Sequence, residues 1–361
     1  MQKIIKEFPI LDQYIYANTA AYGILYDGLL DWRQEHDLDY LIGGSNFKMK
    51  SLKLISDTRE TIGRFFNCKT DNIALIQNFS IGLNLLLEGL DRKHKVLLLN
   101  DDYPSLNWPF ESRGFDCKYI DITEHVEENI LVAIEKEKIT VLALSVVQWL
   151  NGIKIDLSFL KKLKELYPDL LIIADGTQYC GTESFDFEDS AIDILGASGY
   201  KWLLAGSGNG FMLFKERVKP HFNLKAIGYN SANAVLENKN SFRFTKHLEP
   251  GHLDTLAFGS LKKSIDFLTT IGMQKISAIN KDLSHFAFTE FSKLNLLEDK
   301  VVKRNEHSTI FTIMGNQKLF DHLIQNDVIC SQRGNGIRLS FHFYNTTKNI
   351  SKVVDIIKKL R

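Results

Sequence analysis

Lys201 has the clearest chemical potential in this sequence, because it lies between Tyr200 and Trp202 at the end of an apolar run. Burial between aromatic rings disfavours the charged ammonium group and lowers the pKa of a lysine, and imine formation requires a neutral amine. The alternative is an ordinary lysine whose stem is buried and whose ammonium group reaches solvent. The sequence therefore marks Lys201 as a candidate nucleophile.

Asp175 ends the apolar segment "LLIIAD", and Gln178 follows it in "GTQYCG". A carboxylate at the end of a buried strand can cap the next turn, bind a metal or a ribose, or pair with a cationic ring nitrogen. Lys201 follows the next apolar run, "AIDILGAS". If the two runs are neighbouring parallel strands, we expect both side chains at the same edge of one sheet.

Two further segments favour anions. The segment "QNFSIGLN" places Phe79, Ser80 and Ile81 at a predicted helix start, where free backbone amides and the helix dipole favour a phosphate. An ordinary helix cap is the alternative there. Arg338 lies inside the apolar segment "GIRLSFHFY" and needs an anionic partner, for which its planar guanidinium group suits a carboxylate. An internal salt bridge is the alternative for Arg338.

The order of these features favours one chemistry. A phosphate-suited helix start, an aromatic residue, an acid followed by a glutamine, a lysine and a late arginine succeed one another along the chain. Pyridoxal 5′-phosphate requires these parts, because a carboxylate keeps its ring nitrogen protonated and an amine holds its aldehyde. The sequence therefore predicts a pyridoxal-phosphate site. The glycine-rich "GSGNG" (206–210) is not a dinucleotide loop, because a strand rather than a helix follows it.

An α/β architecture would position these residues. Short apolar runs between about residues 70 and 215 alternate with amphipathic segments such as "LSFLKKLKELYP". This alternation predicts βαβ units and a mostly parallel sheet of seven strands between helices. Long amphipathic helices and short strands then predict a smaller α+β domain. We expect a large cofactor-binding domain over 16–255 and a small domain built from 1–15 and 256–361.

Charge and composition limit the partners. The 361 residues include 44 basic and 44 acidic side chains, so no overall field favours nucleic acid or an anionic membrane. The sequence shows neither a signal-peptide pattern nor a membrane-spanning run, which predicts a cytoplasmic protein. The four widely separated cysteines predict reduced thiols, with neither a disulfide framework nor a metal site. A small-molecule partner is expected.

The motifs from "YANTAAYG" (16–23) to "RLSFHFYNT" (338–346) resemble those of the class V aminotransferase family. This branch of the fold-type I pyridoxal-phosphate enzymes also contains cysteine desulfurases, kynureninase and isopenicillin N epimerase-like proteins. The resemblance covers nearly the whole chain. It implies the fold-type I architecture, pyridoxal 5′-phosphate as cofactor, an amino acid or related amine as substrate, and a homodimer.

The resemblance also implies roles for individual residues. Lys201 would form the Schiff base with the cofactor, and Asp175 would pair with the pyridinium nitrogen. The other implied cofactor contacts are Phe79, Ser80, Ile81, Ser198 and Tyr200 at the phosphate, Gln178 at the phenolic oxygen, Tyr103 stacked on the ring, and His252, which would reach the phosphate of the neighbouring subunit. The implied substrate contacts are Asn18, Trp149 and Arg338, of which Arg338 would bind the α-carboxylate.

Two departures from the family pattern bear on the reaction. Cysteine desulfurases carry their nucleophilic cysteine on a loop well before the arginine, whereas Cys330 lies close to Arg338 in the compact segment "VICSQRGNGIRLS". Desulfuration is therefore disfavoured, although a shifted thiol is not excluded. Trp149 stands where other members carry a smaller polar residue, and we expect it to narrow the substrate pocket.

A lysine that acts as general base at Cα serves several reactions. We favour an aminotransferase, because no residue for the departure of a β-substituent can be named. The alternatives are an epimerase or a Cβ-lyase of the same family, kynureninase-like or desulfurase-like, and a catalytically silent relative that serves as a binding protein or scaffold. The joint presence of Lys201, Asp175, Gln178 and Arg338 argues against the silent relative.

Overall fold

The structure of the protein is a computed structural model that describes residues 2–360. This part of the chain contains twelve strands. They are β1 (Ile15–Tyr16), β2 (Ile73–Ile76), β3 (Lys95–Leu99), β4 (Asp116–Ile120), β5 (Val141–Ser145), β6 (Leu171–Asp175), β7 (Ile194–Ser198), β8 (Gly210–Phe214), β9 (Ile310–Met314), β10 (Val328–Ile329), β11 (Ser331–Arg333) and β12 (Gly336–Ser340).

Twelve α-helices lie in the same described part. They are α1 (Gln2–Ile5), α2 (Asp27–Gly43), α3 (Phe47–Phe66), α4 (Phe79–Leu87), α5 (Pro104–Glu111), α6 (Val126–Glu137), α7 (Leu157–Leu166), α8 (Thr255–Ile271), α9 (Met273–Lys293), α10 (Asp299–Val302), α11 (Gln317–Gln325) and α12 (Thr347–Leu360). No helix within residues 2–360 combines the length and the apolar character needed to cross a bilayer.

Seven strands form one sheet in the order β2-β8-β7-β6-β5-β3-β4. Strands β4, β3, β5, β6 and β7 pair in parallel, and β8 runs antiparallel to both of its neighbours, β7 and β2. Strands β5 to β8 are buried along their whole length, as expected for apolar runs with helices on both faces. The predicted α/β fold with a mostly parallel, seven-stranded sheet is confirmed.

Strand β3 shows how the sheet separates two apolar layers. Val96 and Leu98 pack into one cluster, with Leu83 of α4 and Phe110 of α5. The intervening Leu97 and Leu99 pack into the other cluster, which also holds apolar residues of α6 and α7. Because successive side chains of a strand point to opposite faces, an uninterrupted apolar run supplies both layers at once.

The C-terminal part of the chain forms a second, smaller α+β layer. Its antiparallel sheet has the order β11-β12-β9. Helix α12 buries Ile350, Val353, Val354 and Ile357, whose helical spacing gives the helix one apolar face. The smaller α+β unit predicted from the sequence is present, and the exact domain boundaries at residues 15 and 255 stay a prediction.

The N-terminal segment contacts both the C-terminal part of the chain and the loop that carries Lys201. Strand β1 pairs in parallel with β10, and the Ala20 amide donates to Ser340 Oγ at 2.9 Å. The Gly23 amide donates to the Tyr200 carbonyl at 2.8 Å. A Cβ atom at Gly23 would lie 2.1 Å from the Lys201 carbonyl oxygen, so only glycine allows this approach. The N-terminal segment therefore closes over the loop that carries Lys201.

Glu249 anchors the segment that precedes α8 to the edge of the large sheet. Its buried carboxylate accepts the Leu75 amide of β2 at 2.8 Å and forms a bidentate pair with Arg59, at 2.6 and 2.9 Å. Lys246 lies 3.1 Å away. Burial alone would raise the pKa of Glu249, but Arg59 and Lys246 outweigh burial and hold this pKa below its usual range.

We predict that Glu249→Gln lowers the free energy of unfolding by about 3 kcal/mol at neutral pH, because it leaves the buried Arg59 charge without its partner. Since the pKa of Glu249 is lowered by folding, this stabilisation is present above the unfolded value of about 4.3 and is lost as the pH falls through the folded value. Urea unfolding at several pH values measures both effects. The exposed Glu216, paired with Lys219, supplies the control Glu216→Gln, and equal stability of the two variants would contradict the prediction.

Candidate active site

Asp175 and Lys201 meet at the carboxyl edge of the large sheet. Asp175 is the last residue of β6 and pairs with Gly196 of β7, the neighbouring parallel strand. Lys201 follows the end of β7 within three residues, before the chain returns as β8. Their charges influence each other, although no ion pair within 4 Å joins them. The structure thus brings together the two residues that the sequence marks as catalytic.

Lys201 is buried, with 6% of its surface exposed. Its Nζ atom lies 5.4 Å from the centre of the Tyr103 ring and 5.5 Å from that of Tyr200. Burial lowers the pKa of Lys201 to about 8; the Asp175 charge opposes this shift, and the Arg338 charge adds to it. The alternative of a lysine that extends its ammonium group into solvent is not realised. With a pKa of about 8, about one amine in ten is neutral at pH 7, and the neutral form is the one that acts as a nucleophile or a base.

Asp175 is a buried acid that both caps a turn and faces the lysine. Its Oδ1 atom accepts the Thr177 amide at 2.8 Å, so the capping alternative holds as well. Burial raises the pKa of Asp175 to about 6, while the hydrogen bonds from Thr177 and the Lys201 charge favour the ionised form. A carboxylate in this setting gains from a cationic partner such as a protonated ring nitrogen.

Asp102 is a second buried carboxylate at this edge, and sequence reasoning did not assign it a role. It accepts the amides of Tyr103 at 2.6 Å and of Ser145 at 2.9 Å, which ties the end of β3 to the end of β5. Burial raises the pKa of Asp102, and its charge in turn raises the pKa of Asp175. The two consecutive acids in "NDDYP" at a predicted strand end were the signal that could have identified it.

The start of helix α4 lies close to β7 and leaves one backbone amide unpaired among the described residues. Asn78 caps the helix by accepting the Ile81 amide at 3.0 Å, and the Phe79 amide donates to Ser198 Oγ at 2.9 Å. Among the described residues, no acceptor is found for the intervening Ser80 amide. A free amide at the positive end of a helix dipole fits a phosphate, and the capping alternative for this segment holds beside it.

Gln178 is held by structural hydrogen bonds. Its Nε2 atom donates to the Ala20 carbonyl at 3.0 Å, and its Oε1 atom accepts the indole N–H of Trp202 at 2.7 Å. One N–H of the amide remains for another acceptor. The implied contact of Gln178 with a phenolic oxygen stays a prediction, and the structure adds a second role, since Gln178 joins the N-terminal segment to the lysine loop.

Tyr103 and Trp149 form the aromatic side of the site. Their rings meet edge to face with centres 5.8 Å apart, and the Trp149 indole N–H donates to the Asp101 carbonyl at 3.0 Å. Tyr103 also faces Lys201, as described above. This position suits a residue that stacks on an aromatic cofactor, and Trp149 lies where it would narrow the space beside it.

Arg338 is buried, with 2% of its surface exposed, and no carboxylate of the described residues lies within 4 Å of it. Its Nη1 atom donates to the Trp149 carbonyl at 2.7 Å, and its Nε atom has no partner within residues 2–360. Burial lowers the pKa of Arg338 to about 10, and the charge of Arg333 adds to this shift. The alternative of an internal salt bridge is therefore not realised, and the guanidinium group lacks an anion.

Asn18 and His252 lie at different distances from this arrangement. Asn18 accepts the Ser331 hydroxyl at 2.7 Å, on the strand that pairs with that of Arg338, so it borders the site. His252 is exposed and contacts none of the site residues of its own chain. The implied contact of His252 with the phosphate of a neighbouring subunit stays a prediction.

A cavity of about 590 Å³ lies beside the site rather than at it. Its wall includes Gln178 and Trp202 but neither Lys201 nor Asp175, and most of the rest comes from α9 and from residues 302–309. Within residues 2–360, no group of three or more histidine, cysteine, aspartate or glutamate side chains is arranged to hold a metal ion. All four cysteines are free thiols.

These residues fit a flat aromatic aldehyde that carries a phosphate. The free amide at the start of α4 suits the phosphate, Asp175 suits a protonated ring nitrogen, and Lys201, buried like Asp175 at the same sheet edge, suits the aldehyde carbon. Tyr103 supplies a ring face for stacking. Arg338, with an unused Nε donor, suits the carboxylate of an amino acid bound beside such a group.

Known proteins resemble this chain over most of its length. The family model described as aminotransferase class-V matches residues 41–353. An uncharacterized aminotransferase of Schizosaccharomyces pombe is 25% identical over 329 residues, which cover 84% of this chain and 81% of that protein. A probable cysteine desulfurase of Ureaplasma parvum is 22% identical over 377 residues, which cover 96% and 93% of the two chains.

A solved structure extends the comparison to the fold. The apo cysteine desulfurase of Thermococcus onnurineus superposes with a TM-score of 0.86 at 18% sequence identity, and the match covers 99% of this chain and 97% of that one. At this level of identity the likeness concerns the fold, and it includes the large sheet and the smaller α+β unit together.

We predict that Lys201 in the cofactor-free protein reacts with acetic anhydride half-maximally near pH 8, below the usual lysine value of about 10.4, because burial disfavours the ammonium form. Asp175→Asn should lower this midpoint by about one pH unit, since the Asp175 charge stabilises the ammonium group. Labelling across a pH series, followed by mass spectrometry of the Lys201 peptide, measures both values.

The exposed Asp101, at the end of the same sheet edge, provides the control variant Asp101→Asn, which removes one negative charge without touching the pair. It should leave the midpoint of Lys201 unchanged. An identical midpoint in Asp175→Asn and in the unchanged protein would show that the two buried groups are not coupled.

Proposed function

Because the chain belongs to the class-V aminotransferase family, we propose that it transfers the amino group of an α-amino acid to a keto acid. It is a pyridoxal-phosphate-dependent enzyme that acts on amino acids. The observation that carries the proposal is the buried trio of Lys201, Asp175 and Arg338, in which the amine is partly neutral and the guanidinium group has no internal anion. A scaffold or silent binding protein has no use for such a costly arrangement.

In the proposed mechanism Asp175 and Tyr103 hold the cofactor, and Lys201 transfers the proton. When bound, pyridoxal phosphate withdraws electrons from the α-carbon of the substrate, so that the proton on that carbon becomes acidic. Lys201 Nζ would be the base that takes this proton, and for transamination it would pass the proton back to the bound cofactor. Asp175 would hold the protonated ring nitrogen, and Tyr103 would cover one ring face.

Arg338 orients the amino acid. Its Nη1 donor is fixed on the Trp149 carbonyl at 2.7 Å, so the remaining donors point in a set direction and can bind a carboxylate in bidentate fashion. This contact fixes the α-carbon relative to Lys201, which turns proton abstraction into a step between positioned groups.

Several relatives are named as cysteine desulfurases. In this chain the properties of Cys330 argue against desulfuration. Burial raises the pKa of the Cys330 thiol to about 12, so the thiolate needed for attack on sulfur is scarce at neutral pH. Cys330 also packs within the main apolar cluster. Transamination requires no thiol, and we therefore favour it over a desulfurase-like reaction.

We further propose that the enzyme works as a cytoplasmic homodimer, without nucleic acid or membrane partners. Support for self-association comes from large apolar side chains that are exposed on α2 and α3, among them Leu41, Ile42 and Met49. His252, exposed in its own chain, is free to complete the phosphate site of a second subunit.

The purified holoenzyme should show a visible absorption band that borohydride fixes to the protein and that Lys201→Ala abolishes, because the amine that holds the aldehyde is then missing. A competent amino acid should convert this band to that of the pyridoxamine form, and a keto acid should restore it. Absorption spectroscopy in single-turnover experiments measures each half-reaction separately.

Cys330→Ser is the matched control, because it removes the thiol but none of the proposed contacts. It should leave both half-reactions unchanged. Release of sulfide or alanine from cysteine, lost in Cys330→Ser, would overturn transamination in favour of desulfuration. A protein that stays colourless with added pyridoxal phosphate would overturn the proposal as a whole.

Mixing two inactive variants tests the dimer. If His252 completes the site of the partner subunit, a heterodimer of Lys201→Ala and His252→Ala chains contains one intact site. Activity should then return to about half of the unchanged dimer per heterodimer, since one of the two sites is complete. Subunit exchange after mild denaturation, followed by an activity assay, measures this recovery.

Each variant dimer treated alone is the control for the mixing experiment and should stay below the mixed sample. No recovery on mixing, with heterodimers verified by mass spectrometry, would place His252 outside the neighbouring site.

A further inference from the structure

The hairpin of β11 and β12 presents two arginines on one face. In its register Ser331 lies opposite Arg338, and Arg333 lies opposite Gly336. Directly opposed residues of an antiparallel pair share a face, as do residues two apart on one strand, so Ser331, Arg333 and Arg338 point to the same side. That side faces the active site, because Ser331 Oγ donates to Asn18 Oδ1 and Arg338 to the Trp149 carbonyl.

Neither arginine has an acidic partner. Most described arginines of this chain lie within 4 Å of a carboxylate, including Arg59, Arg113 and Arg304. Within residues 2–360, only Arg33, Arg333 and Arg338 do not. Arg33 is held instead by Ser260 and the Ala205 carbonyl. Arg333 has one recorded hydrogen bond, from Nη1 to the Gln332 carbonyl at 2.8 Å, so its remaining donors are unused.

The two guanidinium groups and Lys201 form a cluster of positive charge. The register of the hairpin puts Arg333 on the same face as Arg338, and the charge of Arg333 contributes to the lowered pKa values of both Arg338 and Lys201. The negative charge of Asp175 partly compensates the positive charge of Lys201. No carboxylate of the described residues lies within 4 Å of Arg333 or Arg338 to compensate their charges. A substrate with a single carboxylate, bound at Arg338, leaves the Arg333 charge uncompensated.

We infer that the site takes an amino acid with an acidic side chain, whose α-carboxylate binds Arg338 and whose side-chain carboxylate binds Arg333. This inference rests on the proposed function and names the substrate class of the same site. It needs no new fold element, because both arginines lie on one rigid hairpin.

The spacing of the two arginines suits a short diacid. Arg333 is the diagonal neighbour of Arg338 across the strand pair, and diagonal Cβ atoms lie about 7–8 Å apart. Two long, forked side chains from such positions can each engage one end of a four- or five-carbon dicarboxylate. The hairpin is held in place, since Thr312 Oγ1, on the next strand, donates to the Leu150 carbonyl at 2.5 Å. Arg333 is exposed, whereas Arg338 on the same face of the hairpin is buried.

The test compares amino acids of equal shape and different charge on the holoenzyme. L-Glutamate should exceed L-glutamine, and L-aspartate should exceed L-asparagine, in kcat/KM by about tenfold, the factor expected for one charge-assisted hydrogen bond. Arg333→Gln should bring the ratio close to one through a higher KM for the acids, while kcat and the values for the amides stay unchanged. Raising the ionic strength should reduce the preference in the unchanged enzyme, because Arg333 is exposed to solvent.

Lys318→Gln is the matched control, since it removes one exposed positive charge of α11 and lies outside the proposed site. It should preserve the preference for the acids. A binding measurement does not depend on turnover: glutarate should bind the holoenzyme more tightly than pentanoate, and Arg333→Gln should remove that difference.

The outcomes separate this inference from the proposed function. Transamination of neutral amino acids as efficiently as of acidic ones, unchanged in Arg333→Gln, overturns the inference and leaves the function standing. Failure of every amino acid to react overturns the function, and the glutarate comparison then still decides whether the arginine pair binds a dianion.

Discussion

The active site depends on two buried groups of opposite charge, Lys201 and Asp175, which influence each other without forming a direct ion pair. Desolvation acts against both ionised forms, lowering the pKa of Lys201 and raising that of Asp175, while their mutual attraction partly restores each. Without any partner, full burial would leave almost none of the amine charged, whereas a tight ion pair would keep nearly all of it protonated. The intermediate arrangement leaves a reactive amine beside an acid that gains from a bound cation.

The fold supplies this arrangement through strand order. Because β6 and β7 are parallel neighbours, the last residue of one and the loop after the other emerge side by side. The chain returns as the antiparallel β8 after the loop 199–209, and Lys201 is buried near the start of this loop. The buried Asp102 at the adjacent strand ends then fixes the direction of Tyr103 through the Tyr103 amide.

Sequence pattern was sufficient for the elements and for residues at their ends. Apolar runs, their alternation with amphipathic segments and the polar residue that closes each run place Asp175, Lys201 and Ser80 without any knowledge of packing. The sequence pattern was insufficient to predict the residues whose roles arise from contacts between distant parts of the chain. The bonds of Gln178 to Ala20 and Trp202, and the common face of Arg333 and Arg338, follow from tertiary contacts and strand register, which no local pattern encodes.

The N-terminal segment that closes over Lys201 also bears on the order of events during synthesis. It pairs with strand β10 and with Ser340, which lies 320 residues after Ala20 in the chain, so the pocket can close only after these distant residues have been synthesised. Contacts of such sequence separation form slowly, because a long loop must close before they give any stabilisation. The large sheet can therefore fold while its binding edge is still open.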